Sequence, residues 1–198
     1  ASPLAVLITA IGVSYFLQSS ALLIFGSTQR SVESAVKVPN VAVGDFTISG
    51  NAIFTLAITI VLMFCLTWFI NKTMTGKAML AVSEDKGAAQ LMGVNVNKTI
   101  AVTFLIGSAL AAVAGVLYIA SYGFVGPYTG SLPGIKAFVA AVLGGIGSVP
   151  GAMLGGILLG IIESLSKAYI STQLADAIVF GVLIVVLLVK PTGLIEKV

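Results

Sequence analysis

The chain of 198 residues contains no histidine and a single cysteine. The first absence removes the commonest general base and metal ligand, and the second excludes a disulfide within the chain. The sequence also lacks a GxxxxGK[ST] phosphate loop, an HExxH motif and any Ser/His/Asp or Cys/His set. These absences indicate a chain that is not an enzyme, holds no metal or cofactor, and does not bind ATP through a phosphate loop of its own.

Charge is scarce as well. Charged residues make up 9% of the chain, against roughly 25% in soluble domains. Hydrophobic residues make up 58%, and the mean hydropathy is +1.13. The chain is therefore an integral membrane protein in contact with the lipid bilayer. Its net charge of +3 comes from scattered basic residues, which gives no indication of nucleic-acid binding.

Four apolar runs are predicted to span the membrane, and they are Leu4–Phe25, Ile48–Asn71, Thr99–Tyr122 and Leu174–Val189. The first run carries Gln18 and Ser19, which either hydrogen-bond to another helix or line a substrate path. Cys65 lies inside the second run, where a buried packing role is expected. The chain enters the first run almost at once, without the basic region or cleavage site of a signal peptide, so we expect a piece of a longer protein.

The longest polar stretch, Thr75–Lys98, is named here the polar island. Its lysines place it in the cytoplasm by the positive-inside rule. Within it, Ser83 is predicted to cap a helix of about nine residues, only ~13 Å long, that ends at Gly93. Glu84 and Asp85 suit its first turn, and a narrow apolar stripe and small residues follow, which are Ala88, Ala89, Leu91 and Met92. Two interpretations remain open, a docking helix on the membrane surface or a solvated loop.

Two further apolar runs, Ile135–Ser148 and Gly151–Glu163, are too short for upright spans of about twenty residues. The residues that break them are Gly144, Gly145, Gly147, Ser148, Pro150 and Gly151. They form either one kinked span or a hairpin of two short helices. The hairpin is preferred because it returns Lys190 and Lys197 to the cytoplasm.

The hairpin carries two GxxxG patterns, Gly151–Gly155 and Gly156–Gly160, which predict tight helix packing. A broken helix pair also points to a permeation path, and packing without a path is the alternative. Glu163 and Lys167 are expected to form a local i,i+4 pair. Together the runs predict an all-α, polytopic transmembrane helical bundle with about six membrane segments, forming one domain over residues 1–198.

Three blocks of the sequence resemble the permease subunits of bacterial ABC importers for branched-chain amino acids. They are EDKGAAQLMGVNVNKTIAVTF, KAFVAAVLGGIGSVPGAMLGG and VLLVKPTGL. The resemblance covers nearly all of the chain and implies that further spans precede Ala1. It implies a location in the bacterial inner membrane, two ATPase subunits, a second and related permease, and a periplasmic binding protein.

The resemblance also implies roles for residues. Those of the polar island, the cytoplasmic coupling loop 75–98, would form a helix seated on an ATPase subunit, and they are Glu84, Asp85, Ala88, Ala89, Leu91, Met92 and Gly93. The six residues that break the hairpin would shape the substrate pathway. The segments Gly26–Thr47 and Ser121–Gly134 would face the binding protein.

Three alternatives remain. A channel or secondary-transporter fragment would need no ATPase, and a scaffold would bind partners without transport. An importer of the same family could instead carry urea or short amides.

Overall fold

The computed structural model describes residues 3–32, 39–43, 46–190 and 193. In these residues it confirms the predicted all-α class. The helices are α1 Pro3–Phe25, α2 Gly50–Lys72, α3 Met74–Glu84, α4 Lys86–Leu91, α5 Val96–Tyr122, α6 Ser131–Gly144, α7 Val149–Tyr169 and α8 Ala175–Val189. Four short strands accompany them, β1 Arg30–Ser31, β2 Val41–Val43, β3 Phe46–Ile48 and β4 Phe124–Val125.

Four of the helices, α1, α2, α5 and α7, are long and apolar enough to cross a bilayer. Helix α2, for example, has 23 residues and is therefore ~35 Å long, which exceeds the ~30 Å hydrocarbon core. Helices α6 and α8 are shorter, with 14 and 15 residues. The expected six membrane segments are thus present as four long helices and two short ones.

The chain forms two compact units. The first comprises residues 1–54 and 112–133, as far as they are described. In it β1 pairs antiparallel with β4, with Arg30 opposite Val125 and Ser31 opposite Phe124. The backbone amide of Val32 extends this pair by donating to the carbonyl oxygen of Gly123 at 2.9 Å.

The loop between α1 and α2 contains β1 and the antiparallel β2–β3 pair. Its charged residues Glu33, Lys37 and Asp45 lie outside the described residues. At the end of this loop, α2 is tied to the end of α5, because the amide of Asn51 donates to the carbonyl oxygen of Ala120 at 2.8 Å.

The second unit comprises residues 55–111 and 134–198, again within the described ranges. Its core lies among α6, α7 and α8, where the buried side chains are Val139, Ala140, Leu143, Leu159 and Val179. Val139 and Leu143 are four residues apart and therefore lie on one face of α6. Van der Waals packing among these aliphatic side chains holds the three helices together.

Two predictions about this region need correction. Helix α7 has 21 residues and continues to Tyr169, whereas the sequence predicted a short helix ending at Glu163. The charge of Glu163 does not interrupt the helix, and Lys167, one turn later, lies 2.6 Å from its carboxylate. Cys65 was predicted to be buried, but it is exposed on α2 together with Phe64 and Trp68. That face of α2 packs against nothing within the described residues.

Candidate functional site

The polar island folds as two helices, α3 and α4, rather than the single helix predicted. Thr73 caps α3, since its hydroxyl oxygen accepts from the amide of Gly76 at 3.0 Å. A side chain at Gly76 would collide with the carbonyl oxygens of Phe69 and Ile70 at the end of α2. The glycine therefore allows α3 to begin immediately beside α2.

Asp85, and not Ser83, caps α4. Its carboxylate oxygen Oδ1 accepts from the amides of Gly87 at 2.7 Å and Ala88 at 3.0 Å. The prediction for Ser83 was wrong because this residue lies inside α3, where its hydroxyl donates to the carbonyl oxygen of Leu80 at 2.7 Å. The extended backbone that an N-cap requires occurs at Asp85, with φ −147° and ψ 113°.

The other end of α4 was predicted correctly. Gly93 has a φ of +84°, the left-handed conformation that favours glycine. The amide of Val94 then donates to the carbonyl oxygen of Ala89 at 3.0 Å, which completes a Schellman-type stop. Asn95 caps the next helix, α5, because its side-chain oxygen accepts from the amide of Lys98 at 3.0 Å. Only the short segment Met92–Asn95 therefore separates α4 from α5.

Helix α4 has an exposed side and a buried side. Leu91 and Met92 are 90% and 84% exposed, and Ala88 is exposed beside them. Ala89 is only 4% exposed, and Val82 of the neighbouring α3 is buried too. Of the residues predicted for the docking surface, Ala89 thus lies on the buried side of α4. Ala88, Leu91 and Met92 lie on its exposed side, where a partner could contact them.

The residues that break α6 from α7 come together in one tight turn. Gly145 and Gly147 have φ values of +106° and +96°. Ser148 caps α7, since its hydroxyl accepts from the amide of Gly151 at 3.1 Å, and Pro150 lies in the first turn. A proline there loses nothing, because amides of a first helical turn have no partner within the helix.

Backbone contacts hold the two arms of this turn side by side. A side chain at Gly144 would collide with the backbone of Gly151, and one at Gly155 would collide with the carbonyl oxygen of Ala140. Helix α7 therefore returns along α6, which confirms the hairpin over the single kinked span. Gly193, beyond α8, packs closely against the turn, because a side chain there would lie 2.6 Å from the Cα of Gly145.

Tight packing is absent from the second GxxxG pattern. A side chain at Gly160 would meet no atom within 4 Å, and one at Gly156 would meet only the methyl group of Ala140 at 3.9 Å. The prediction that both patterns pack tightly was thus wrong for this one. Gly107 and Gly115 of α5 also have no neighbouring atom within 4 Å. These small-residue faces are open in the part of the chain that the structure describes.

The polar residues Gln18 and Ser19 lie on α1 in the first unit, half-buried and exposed respectively. Their role in a substrate path stays a prediction. The described residues hold no group of three or more His, Cys, Asp or Glu side chains that could bind a metal.

A cluster of charges in the second unit was missed by the sequence analysis. The ammonium of Lys136 lies 2.9 Å from Glu163 and 2.7 Å from Asp176. The sequence analysis paired Glu163 only with Lys167, one turn along the same helix. A lone lysine within the apolar helix α6 was the available signal, since a charge in such a helix needs a partner.

The chain belongs to the branched-chain amino acid transport system / permease component family, whose model matches residues 3–188. It is 46% identical to the high-affinity branched-chain amino acid transport system permease protein LivH of Escherichia coli over 96% of this chain and 63% of the relative. It is 45% identical to the permease protein BraD of the same kind of system in Pseudomonas aeruginosa, over 96% of this chain and 64% of that relative.

A more distant relative, the fructose import permease protein FrcC of Rhizobium meliloti, is 35% identical over 57% of this chain and 33% of its own length. No solved structure matches the chain. The chain thus spans less than two thirds of the curated relatives it matches most fully. Family and fold together define a multi-pass membrane protein of the permease class.

Proposed function

We propose that this chain is the main part of the permease subunit of an ATP-driven importer for branched-chain amino acids in a bacterial inner membrane. The observation that carries the proposal is the 46% identity to LivH over 96% of the chain. In this chain the three blocks that carry the resemblance contain the capped helix α4, the glycine turn and Gly193, which packs against that turn.

ATP hydrolysis is assigned to two separate ATPase subunits, with α4 as the helix that couples them to the permease. Several features support this assignment. The helix is capped at both ends by Asp85 and Gly93, so it can transmit a push without unwinding. Leu91 and Met92 present exposed apolar side chains, which suit a groove on a partner. The short link to α5 passes any displacement of α4 directly to a membrane-spanning helix.

Contacts with a periplasmic binding protein are assigned to the first unit. The two segments expected there, Gly26–Thr47 and Ser121–Gly134, are joined by the β1–β4 pair. Arg30 on β1 is exposed and borders an apolar cavity of about 300 Å³ beside Phe25, Val125 and Pro127. Its guanidinium donates to the carbonyl oxygen of Phe25 at 3.2 Å, which holds it at the end of α1.

The substrate is proposed to pass between this permease and a second, related permease. The turn Gly144–Gly151 is assigned to the pathway because its backbone is irregular inside an apolar chain, where protein or a water-filled cavity must cover it. Closure of the ATPase pair would move α4 and then α5, and the hairpin would follow.

The test is uptake by the full-length permease reconstituted with its partner subunits in proteoliposomes. Labelled leucine, isoleucine and valine should enter only with ATP and the binding protein. Fructose and urea, tested in parallel, should not enter. Uptake driven by an ion gradient in the absence of the ATPase would contradict the proposal and favour a channel or a secondary transporter. ATPase binding without any uptake would favour a scaffold.

The coupling role of α4 has its own test, cross-linking from Ala88→Cys in a Cys65→Ala background. Because Ala88 is exposed, its cysteine should cross-link to the ATPase subunit, and ATP should change the yield. Ala89→Cys is the matched control, since that position is 4% exposed and should give no cross-link. Equal cross-linking at both positions, or none at Ala88, would leave α4 without a coupling role.

A further inference from the structure

Four charged side chains form one cluster, named here the ionic cluster, that joins three helices. Lys136 of α6 binds Glu163 of α7 at 2.9 Å and Asp176 of α8 at 2.7 Å. Lys167 of α7 binds the same oxygen of Glu163 at 2.6 Å. Lys136 is therefore the only member that contacts both other helices, while Lys167 contacts its own helix.

The cluster is balanced in charge, with two lysines and two carboxylates. It takes up every charged residue of the stretch 131–190 except Lys190 at its end. The side chains of Lys136 and Glu163 are only 24% and 20% exposed. Ion pairs at an exposed surface contribute about 0–1 kcal/mol, but breaking a half-buried one leaves a charge without a partner in an apolar setting. Breaking the cluster should therefore cost more free energy than breaking an exposed ion pair.

The ionic cluster holds α6 in its first half, and the glycine turn holds its carboxyl end. Lys136 lies eight residues before Gly144, which is about 12 Å along the helix. At the far end, Gly144 and Gly151 pack backbone to backbone, and Gly193 covers Gly145. Between the two ends, Val139 and other aliphatic side chains fill the core with α7 and α8. Helix α6 therefore contacts α7 and α8 at Lys136 and in the core, and it contacts α7 again at Gly144.

We propose that Lys136 is a positioning residue that makes α6, α7 and α8 one rigid body, so that the Gly144–Gly151 turn moves with α8 and not by itself. Without this tie, α6 is free to tilt about its glycine contacts, and the turn loses its defined position. The inference rests on the proposed function only for its transport readout. The rigidity itself is measured independently of any substrate.

The experiment uses the full-length permease in its complete transporter, with Lys136→Met, Lys136→Arg and Lys167→Met. We expect Lys136→Met to lower leucine uptake about tenfold while ATP hydrolysis continues. Lys136→Arg should retain uptake because its guanidinium can still bind both carboxylates. Lys167→Met is the matched control, since it removes a lysine from the same cluster but leaves all three helices tied. An equal loss in Lys167→Met would contradict the proposal.

A triple variant, Lys136→Met with Glu163→Gln and Asp176→Asn, separates the loss of the tie from the effect of leaving a carboxylate unpaired. It leaves no carboxylate in the cluster without a partner, so it remains informative if Lys136→Met does not fold. In a Cys65→Ala background, spin labels at the exposed positions Phe138 of α6 and Leu188 of α8 report the distance between these helices. We expect one narrow distance in the parent and a broad distribution in the triple variant.

Uptake and a narrow distance that both survive in the triple variant would overturn the proposal. If the triple variant broadens the distance but the parent protein does not transport leucine, the inference that Lys136 joins the three helices stands. Only the proposed function is then contradicted.

Discussion

Individual glycines differ in what surrounds them, although the sequence presents them as equivalent. Gly144, Gly151 and Gly155 lie where a methyl group would collide with backbone atoms of the facing helix. Gly156 and Gly160 follow the same spacing on α7, but a methyl group at Gly156 would make only an ordinary contact with Ala140 at 3.9 Å, and one at Gly160 would meet no atom within 4 Å. The spacing predicted the close packing correctly, but it could not say which of two overlapping patterns faces the neighbour, because both repeat every four residues on one helix.

Replacing one glycine from each class tests this difference. Gly155→Ala should destabilise the full-length permease by roughly 1–3 kcal/mol, because the backbone of Ala140 cannot move away without separating α6 from α7. Gly160→Ala should be neutral or stabilising by up to ~1 kcal/mol, since alanine favours a helix and meets no atom within 4 Å. Thermal unfolding of both purified variants in detergent gives the comparison. Equal destabilisation would mean that the α7 packing described here is wrong.

At the scale of helices, the sequence predicted which helices exist more accurately than where each helix begins and ends. The long apolar helices α1, α2 and α5 were predicted within about three residues at each end, because composition and length suffice for a membrane span. Helix α7 continues six residues past its predicted end at Glu163. The polar island was harder, since Ser83 and Asp85 are both good capping residues two positions apart. Which of them caps depends on where the preceding helix stops, and α3 runs on to Glu84. The backbone conformation decides between them, since it is helical at Ser83 and extended at Asp85.

The cap assignment predicts unequal effects of two alanine substitutions. Asp85→Ala should destabilise α4 by about 0.5–2 kcal/mol, because the amides of Gly87 and Ala88 lose their acceptor. Ser83→Ala should leave α4 unchanged, since its hydroxyl bonds only within α3. Hydrogen exchange of the amides in residues 86–92 of the full-length permease measures the effect. Faster exchange in Ser83→Ala than in Asp85→Ala would restore the serine as the cap.

At the scale of the whole molecule, the number of crossings decides which ends share a side of the membrane. Two lysines alone favoured the hairpin in the sequence, and one of them, Lys197, lies outside the described residues. The contacts between α6 and α7 now support it independently. What the sequence could not supply was the tie of Lys136 to α7 and α8, because its partners are 27 and 40 positions away, as the numbering of Glu163 and Asp176 shows.

The hairpin predicts the sidedness of three cysteine positions in a Cys65→Ala background. If the polar island is cytoplasmic, as the positive-inside rule predicts, α5 crosses outward, α6 enters, α7 returns outward and α8 crosses inward. Val189→Cys should therefore share the side of Asn97→Cys. Ser31→Cys on β1 should lie on the opposite side. A membrane-impermeant thiol reagent applied to intact cells should therefore label only Ser31→Cys, and the other two should react in inverted vesicles. If Val189→Cys reacted in intact cells, α6 and α7 would form a single membrane crossing, and the hairpin topology would be wrong. Each position is exposed, so lack of reaction reports the membrane barrier and not burial in the protein.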